Sequence, residues 1–170
     1  MQRIMVIGCC GSGKSTLSKK LHQLLKLPLI HLDRHYWKPG WTETPRSEWE
    51  PIVKELAAKD SWIIHGNYGS TLDIRIARAD TIIYLSYNTS TCLYRVCSRA
   101  IKNYGKRRSD MAEGCPERID FNFLHYVATY NLIRRKSQLA KVHKVSDEKT
   151  CIILKNDKEV DEFLLSLKEM

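Results

Sequence analysis

Ile4-Met5-Val6-Ile7-Gly8-Cys9-Cys10-Gly11-Ser12-Gly13-Lys14-Ser15-Thr16-Leu17 sets a G-x-x-x-x-G-K-[ST] loop between an apolar run and the start of a helical pattern. Each residue type in that spacing has a physical task. Glycines let the backbone wrap closely, so that successive N–H groups and a helix N-terminus face an anion. The pattern predicts that Gly8, Cys9, Cys10, Gly11, Ser12, Gly13, Lys14, Ser15 and Thr16 hold the phosphates of a nucleotide. Lys14 would reach the β- and γ-phosphates, and the Ser15 hydroxyl would ligate Mg²⁺. An ordinary Gly-rich turn requires neither the lysine nor these flanks.

Working outward, Leu17, Leu21, Leu24 and Leu25 give residues 14–26 one apolar helical face before Pro28. Further apolar strands are expected at Leu29-Ile30-His31-Leu32, Ser61-Trp62-Ile63-Ile64-His65, Thr81-Ile82-Ile83-Tyr84-Leu85 and Cys151-Ile152-Ile153-Leu154. Helices alternate with them. One buries Trp49, Ile52, Val53 and Leu56, with Ser47 or Thr44 as its cap, and a short one lies around 71–79. Another carries Leu93, Val96, Cys97, Ala100 and Ile101, a long one spans roughly 119–141, and a last one carries Val160, Phe163, Leu164 and Leu167. Residues 34–45 have neither period. Five strands separated by helices imply an α/β fold in three layers, a five-stranded parallel sheet with both faces covered and ligands at the strands' carboxyl ends.

A length of 170 residues predicts a single domain, 1–170. Apolar and charged fractions of 43% and 28% suit a globular chain, and no apolar stretch is long enough to cross a bilayer, so no membrane partner is expected. The six cysteines follow no zinc spacing and no export signal precedes them, which predicts free thiols in a cytoplasmic protein; monomer and homodimer both stay open. Cys9 and Cys10 are mainly filler positions, with a redox switch as the alternative. The net charge of +9 favours polyanionic ligands.

Other phosphate-loop classes leave marks that are missing here. Lys155-Asn156-Asp157-Lys158 has the wrong order for guanine recognition, and no strand ends in the Asp-Glu pair of a hydrolytic ATPase. The second half instead carries Arg95, Arg99, Arg107, Arg108, Arg118, Arg134 and Arg135 around an irregular segment, 103–118. Positive charge and a closing lid are what phosphoryl transfer needs, so Arg99, Arg107 and Arg108 are expected to be catalytic beside Lys14. Arg134, Arg135 and Lys136 read as a solvated face.

Leu32-Asp33-Arg34-His35-Tyr36-Trp37-Lys38-Pro39-Gly40-Trp41, Trp62-Ile63-Ile64-His65-Gly66-Asn67-Tyr68, Leu72-Asp73-Ile74-Arg75 and Arg108-Ser109-Asp110-Met111-Ala112-Glu113-Gly114-Cys115-Pro116-Glu117, with the phosphate loop, resemble the adenylate-kinase-related bacterial proteins labelled DNA topology modulation (FlaR-like) proteins. The resemblance covers nearly the whole chain. It implies an adenylate-kinase-like core with a short lid, ATP and Mg²⁺ as cofactors, and a cytoplasmic kinase whose acceptor the family label does not name. That group's third strand ends Asp-Gly-Asn-Tyr, whereas this chain has His65.

Asp33, ending the second strand, becomes the leading carboxylate, orienting Mg²⁺ or taking a proton from an attacking hydroxyl; a helix cap or a partner for Arg34 is the plainer reading. His65 reads as hydrogen-bonded structure more than as a base. The aromatic stretch with His35, Trp37 and Trp41 is expected, within an acceptor element at 34–60, to cover a small-molecule acceptor such as a nucleotide or nucleoside. Asn67 and Arg75 complete that set, with Asp73 an alternative partner for Arg75. The less favoured alternative is an ATP-binding, nucleic-acid-associated regulator of DNA topology, using the basic runs from Lys102 to Arg108 and from Arg134 to Lys144 with Tyr104, Tyr126 and Tyr130 interleaved.

Overall fold

Ile4, Met5, Val6 and Ile7 are fully buried in the computed structural model, which describes residues 1–169. They belong to strand β1 (Arg3–Gly8), whose alternating side chains feed two separate cores. Ile4 and Val6 join Leu17, Leu21, Val96, Val127 and Leu164 on one face; Met5 and Ile7 join Trp49, Val53, Leu72, Ile76 and Val142 on the other. A strand apolar at every position is what a sheet covered on both sides requires.

Strands β2 (Leu29–His31), β5 (Trp62–His65), β6 (Thr81–Leu85) and β7 (Thr150–Leu154) complete a sheet of order β2-β5-β1-β6-β7, and every pairing in it is parallel. The expected α/β class and five-stranded parallel sheet are therefore present. Helices α1 (Lys14–Leu25), α5 (Thr89–Lys102), α6 (Phe121–Ile133) and α8 (Asp157–Ser166) cover the first face. Helices α3 (Arg46–Ala58), α4 (Leu72–Arg78) and α7 (Arg135–Lys144) cover the second. In register, His31 lies opposite His65, and His65 opposite Val6, so both histidines stand at the carboxyl ends beside the 8–15 loop.

Four local expectations need correction. The predicted helix over 119–141 is two helices, broken at Arg134, whose φ of −111° and ψ of −30° end α6. The cause is tertiary. Val127 and Tyr130 pack on one face of the sheet and Val142 on the other, and one straight helix cannot serve both. On α5 the buried residues are Cys92, Val96 and Ala100, while Cys97 and Ile101 are exposed. Residues 34–45 are not irregular throughout: α2 (Leu32–Tyr36) leads into a hairpin of β3 (Trp37–Lys38) and β4 (Thr42–Glu43), turning at Gly40 and Trp41 with φ of 75° and 63°. Neither Ser47 nor Thr44 caps α3, because Pro45 occupies the cap, Ser47 is inside the helix and the Thr44 hydroxyl donates to the Tyr36 carbonyl.

Candidate functional site

The loop after β1 ends in a helix start that no residue of the helix's own first turn neutralises. Helix α1 has no side-chain cap and no acidic residue in its first turn, so its leading N–H groups face outward without intrahelical partners. The loop is clamped from behind. A Cβ at Gly8 would stand 2.5 Å from the Leu85 carbonyl oxygen, and one at Gly11 would stand 2.4 Å from that of Cys92. Lys14 Nζ donates to the Gly8 and Cys9 carbonyls, both at 2.8 Å, which pins the ammonium across the loop. Ser12 is 1% exposed and its hydroxyl has no partner. An uncapped helix start, a fixed cation and an orphaned hydroxyl fit a polyphosphate, and the Ser15 hydroxyl at the rim fits the Mg²⁺ that accompanies one.

A cleft of about 1520 Å³ opens in front of this loop. A pocket for one drug-sized ligand is roughly 300–1,000 Å³, so the cleft has room for more than one small molecule. Cys10 to Thr16, Asp33, Trp37, Trp41, Asn67, Arg99, Arg107 and Arg108 all line it. Gly8 and Cys9 lie behind the lining. Cys9 turns into the core, where its thiol meets the Val127 carbonyl at 3.9 Å, while Cys10 faces the cleft. Cys92 and burial push the Cys9 thiol up, and burial pushes that of Cys10 up, so neither is a reactive thiolate.

Two sequence-predicted acceptor residues do not reach the cleft. His35 is exposed on α2 outside the lining. Arg75 is fully buried and serves as a staple: Nη1 donates to Gly66 O at 2.7 Å, Nη2 to Asn67 O at 2.6 Å and Tyr68 O at 3.0 Å, and Nε to Thr71 O at 3.4 Å. Its donors are committed to its own loop, and Asp73 pairs with Lys141 instead. The stapled loop positions two useful groups. Asn67 Oδ1 accepts from Gly8 N at 3.2 Å, and the Tyr68 hydroxyl donates to Asp33 Oδ1. Burial pushes the Asp33 carboxyl up despite the Tyr68 hydrogen bond. Asp33 itself lies in the first turn of α2 rather than ending a strand.

Across the cleft, the 103–118 segment folds back over the loop. Arg108 grips both oxygens of Asp110 at 2.9 Å, and Asp110 Oδ2 accepts from the Ser15 hydroxyl at 2.7 Å. Burial raises the Asp110 carboxyl, but the Arg108 charge and these hydrogen bonds outweigh it and hold the group well below the usual carboxylate range. Glu117, 6% exposed, accepts from Arg99 at 3.2 Å and from Arg108 at 2.7 Å. Arg107 lines the cleft without an ion pair among the described residues. Gly40 N donates to Gly114 O at 2.9 Å and Trp41 Nε1 to Pro116 O at 3.1 Å, so the segment and the 37–43 hairpin are docked together. Sequence reasoning missed Asp110, Glu117 and the aromatic lining of Phe123, Tyr126 and Tyr87.

Of the tyrosines interleaved with the basic runs, Tyr104 is exposed and the other two are not at an open face. Tyr130 is fully buried, its hydroxyl donating to Gln138, and Tyr126 lies in the cleft with Arg134 4.6 Å over its ring.

At the floor of the cleft, His31 Nδ1 and His65 Nε2 share a hydrogen bond. Desolvation holds His31 down to about 4, and desolvation with the neighbouring His31 holds His65 down to about 3. Both are neutral at pH 7. An unfolded histidine takes its proton near 6.5, so between pH 6.5 and about 4 the unfolded chain binds more protons than the folded one. Stability should be full above that window and fall by about 1.4 kcal/mol per pH unit for each neutral histidine as pH drops through it. Denaturant melts at pH 7.5 and 5.0 read this slope, and His65→Asn should flatten it; an unchanged slope in that variant would refute a neutral buried pair.

No family model matches the sequence. It is 27% identical over 135 residues to the uncharacterized protein YqaC of Bacillus subtilis (strain 168), spanning 76% of this chain and 73% of that protein. Among solved structures, shikimate kinase from Acinetobacter baumannii in complex with shikimate superposes with a TM-score of 0.63 at 15% identity, covering 98% of this chain and 90% of that one. The fold is that of a P-loop kinase. A gluconokinase from Sinorhizobium meliloti 1021 (TM-score 0.54, 18% identity, 99% and 94% coverage) is similar in the same way. So is deoxyadenosine kinase from M. mycoides with bound dCTP (0.51, 14%, 98% and 99%). No helix among the described residues is long and apolar enough to cross a membrane.

Proposed function

We propose that this protein is an ATP-dependent phosphotransferase acting on an uncharged, ring-bearing alcohol such as a nucleoside. The observation that carries the reading is the single cleft in which the 8–15 loop, Asp33 and the Trp37/Trp41 wall meet. The loop would hold the donor's phosphates, with Lys14 at the β- and γ-groups and Ser15 toward Mg²⁺, the metal supplying charge neutralisation between those phosphates. Asp33, its carboxyl pushed up by burial, is suited to accept the hydroxyl proton as the acceptor oxygen bonds to the γ-phosphorus and the bond to ADP breaks. Arg107, without an ion pair among the described residues, would then face the migrating group, with Arg99 and Arg108 adding charge from their places on Glu117 and Asp110 and 103–118 as the lid. The narrower likeness to DNA topology modulation proteins agrees with this arrangement.

The aromatic wall is the guide to the acceptor. Lys14 and Arg108 act on Asp33 from the loop side, whereas at the Trp41 end Arg118 is spread over the indole ring at 5.5 Å and bonded to Asp120 at 3.2 Å. Arg75, the expected anion holder, is committed elsewhere. A flat uncharged ring would gain stacking area on the Trp37 and Trp41 indoles, whose centroids are 5.4 Å apart, with no need of the arginines that serve the donor phosphates. The test is transfer from γ-labelled ATP to a panel of nucleosides, their monophosphates and sugar acids. Nucleosides should be phosphorylated at least about tenfold faster than their monophosphates, and Trp37→Leu should raise the nucleoside KM. Preference for monophosphates would sink the assignment of the acceptor, and transfer to none of the panel would sink the activity.

A further inference from the structure

The third strand ends in a neutral histidine where a carboxylate would serve a metal, and a carboxylate from elsewhere stands in the neighbouring space. His65 is tied up with His31 at the floor of the cleft, and its ring nitrogens stay unprotonated acceptors or neutral donors. Asp110, only 5% exposed, arrives from the opposite side on the 103–118 segment. Its Oδ2 lies 2.7 Å from the Ser15 hydroxyl oxygen. Two adjacent oxygens in an octahedral Mg²⁺ shell, each at 2.0–2.1 Å from the ion, stand about 2.9 Å apart. Ser15 and Asp110 therefore already have the separation of two neighbouring ligands, and only the serine proton must turn away.

We infer that Asp110 is a metal-site carboxylate of this chain: together with Ser15 it holds the Mg²⁺ of the bound nucleotide, doing from the 103–118 segment what His65 at the strand end does not. The inference rests on the nucleotide-site reading above. Three further observations agree with it. Arg108 fixes both Asp110 oxygens at 2.9 Å, the outer support that a ligating carboxylate normally has. Ser12, buried and without a partner for its hydroxyl, lines the same cleft. No group of three or more His, Cys, Asp or Glu side chains among the described residues converges to hold a metal alone. That suits Mg²⁺, which takes one or two protein oxygens and completes its shell with phosphates and water. The arrangement also makes closure of the segment depend on the metal, since the segment brings one of its ligands.

The experiment is a Mn²⁺ titration of the protein saturated with ADP, followed by loss of the free-ion EPR signal, beside ADP affinity measured in EDTA. Asp110→Asn should weaken Mn²⁺ binding by about tenfold or more while leaving ADP binding in EDTA unchanged. Glu113→Gln removes an exposed carboxylate of the same segment and should leave both unchanged. Should the asparagine variant fail to bind ADP in EDTA, Asp110→Ser carries the same expectation. Unchanged or tighter Mn²⁺ binding by the Asp110 variants would overturn the inference, making the Ser15 contact a latch that competes with metal. Equal weakening by Glu113→Gln would overturn it in favour of general charge. Absence of ADP binding by the unaltered protein would remove the nucleotide site and this inference together.

Discussion

Lys14→Ala is expected to lower phosphoryl transfer by about a thousandfold with little change in melting temperature. The ammonium is held by the Gly8 and Cys9 carbonyls at the mouth of the loop, placed by the first turn of α1. Two of its three donors anchor it and the third remains for a phosphate oxygen, so its charge is set before any nucleotide arrives. Preorganised charge counts for most in the transition state, and its loss therefore shows in kcat more than in KM. Lys14 itself lines the cleft, so water can take the place of its ammonium at the two carbonyls, and the cost in stability should stay at about 1 kcal/mol. Steady-state rates with an accepted substrate and a thermal melt of the same preparation check both halves. Retention of a tenth of the activity would contradict the role given to Lys14.

Arg75→Ala has the opposite signature. The side chain is fully buried and four carbonyl oxygens depend on it, three of them in the 66–68 loop. Removing it leaves those oxygens in a cavity lined by protein, at a cost of about 4 kcal/mol. For a chain of this length that is a fall of roughly 10 °C in Tm. Activity should fall as well, because the same loop aims Asn67 at Gly8 N and Tyr68 at Asp33. An acceptor-binding arginine would behave differently, raising KM in a protein that melts normally. Thermal melts and KM measured together distinguish the two, and a normal Tm for Arg75→Ala would overturn the staple.

The contrast between Lys14 and Arg75 shows what sequence spacing can carry. The loop from Gly8 to Ser15 was legible because its chemistry is local: strand, glycines, lysine and hydroxyl all lie within a dozen residues, and their geometry follows from the backbone. The parallel sheet was legible for the same reason, each strand being apolar at consecutive positions. Arg75 was misread because a basic residue after a strand looks alike whether it faces a ligand or its own loop. Asp110 was missed because only the tertiary return of the 103–118 segment brings it to Ser15, ninety-five positions away. The break at Arg134 has no Gly or Pro to announce it, and it follows from the chain passing from one face of the sheet to the other. Strands of two residues, as in the 37–43 hairpin, are too short to show a period.

That hairpin has a consequence for timing. Gly40 to Gly114, Trp41 to Pro116 and the Cys115 thiol to the Lys38 carbonyl at 3.3 Å join it to the segment that also contacts Ser15. Each bond is worth about 1 kcal/mol net, and together they outweigh thermal agitation by several RT. The wall beside one substrate and the cover over the other would then rise and fall as one door. Both substrates would be sealed in by a single event and both products released by a single event, so one opening rate, rather than two independent ones, would pace each cycle.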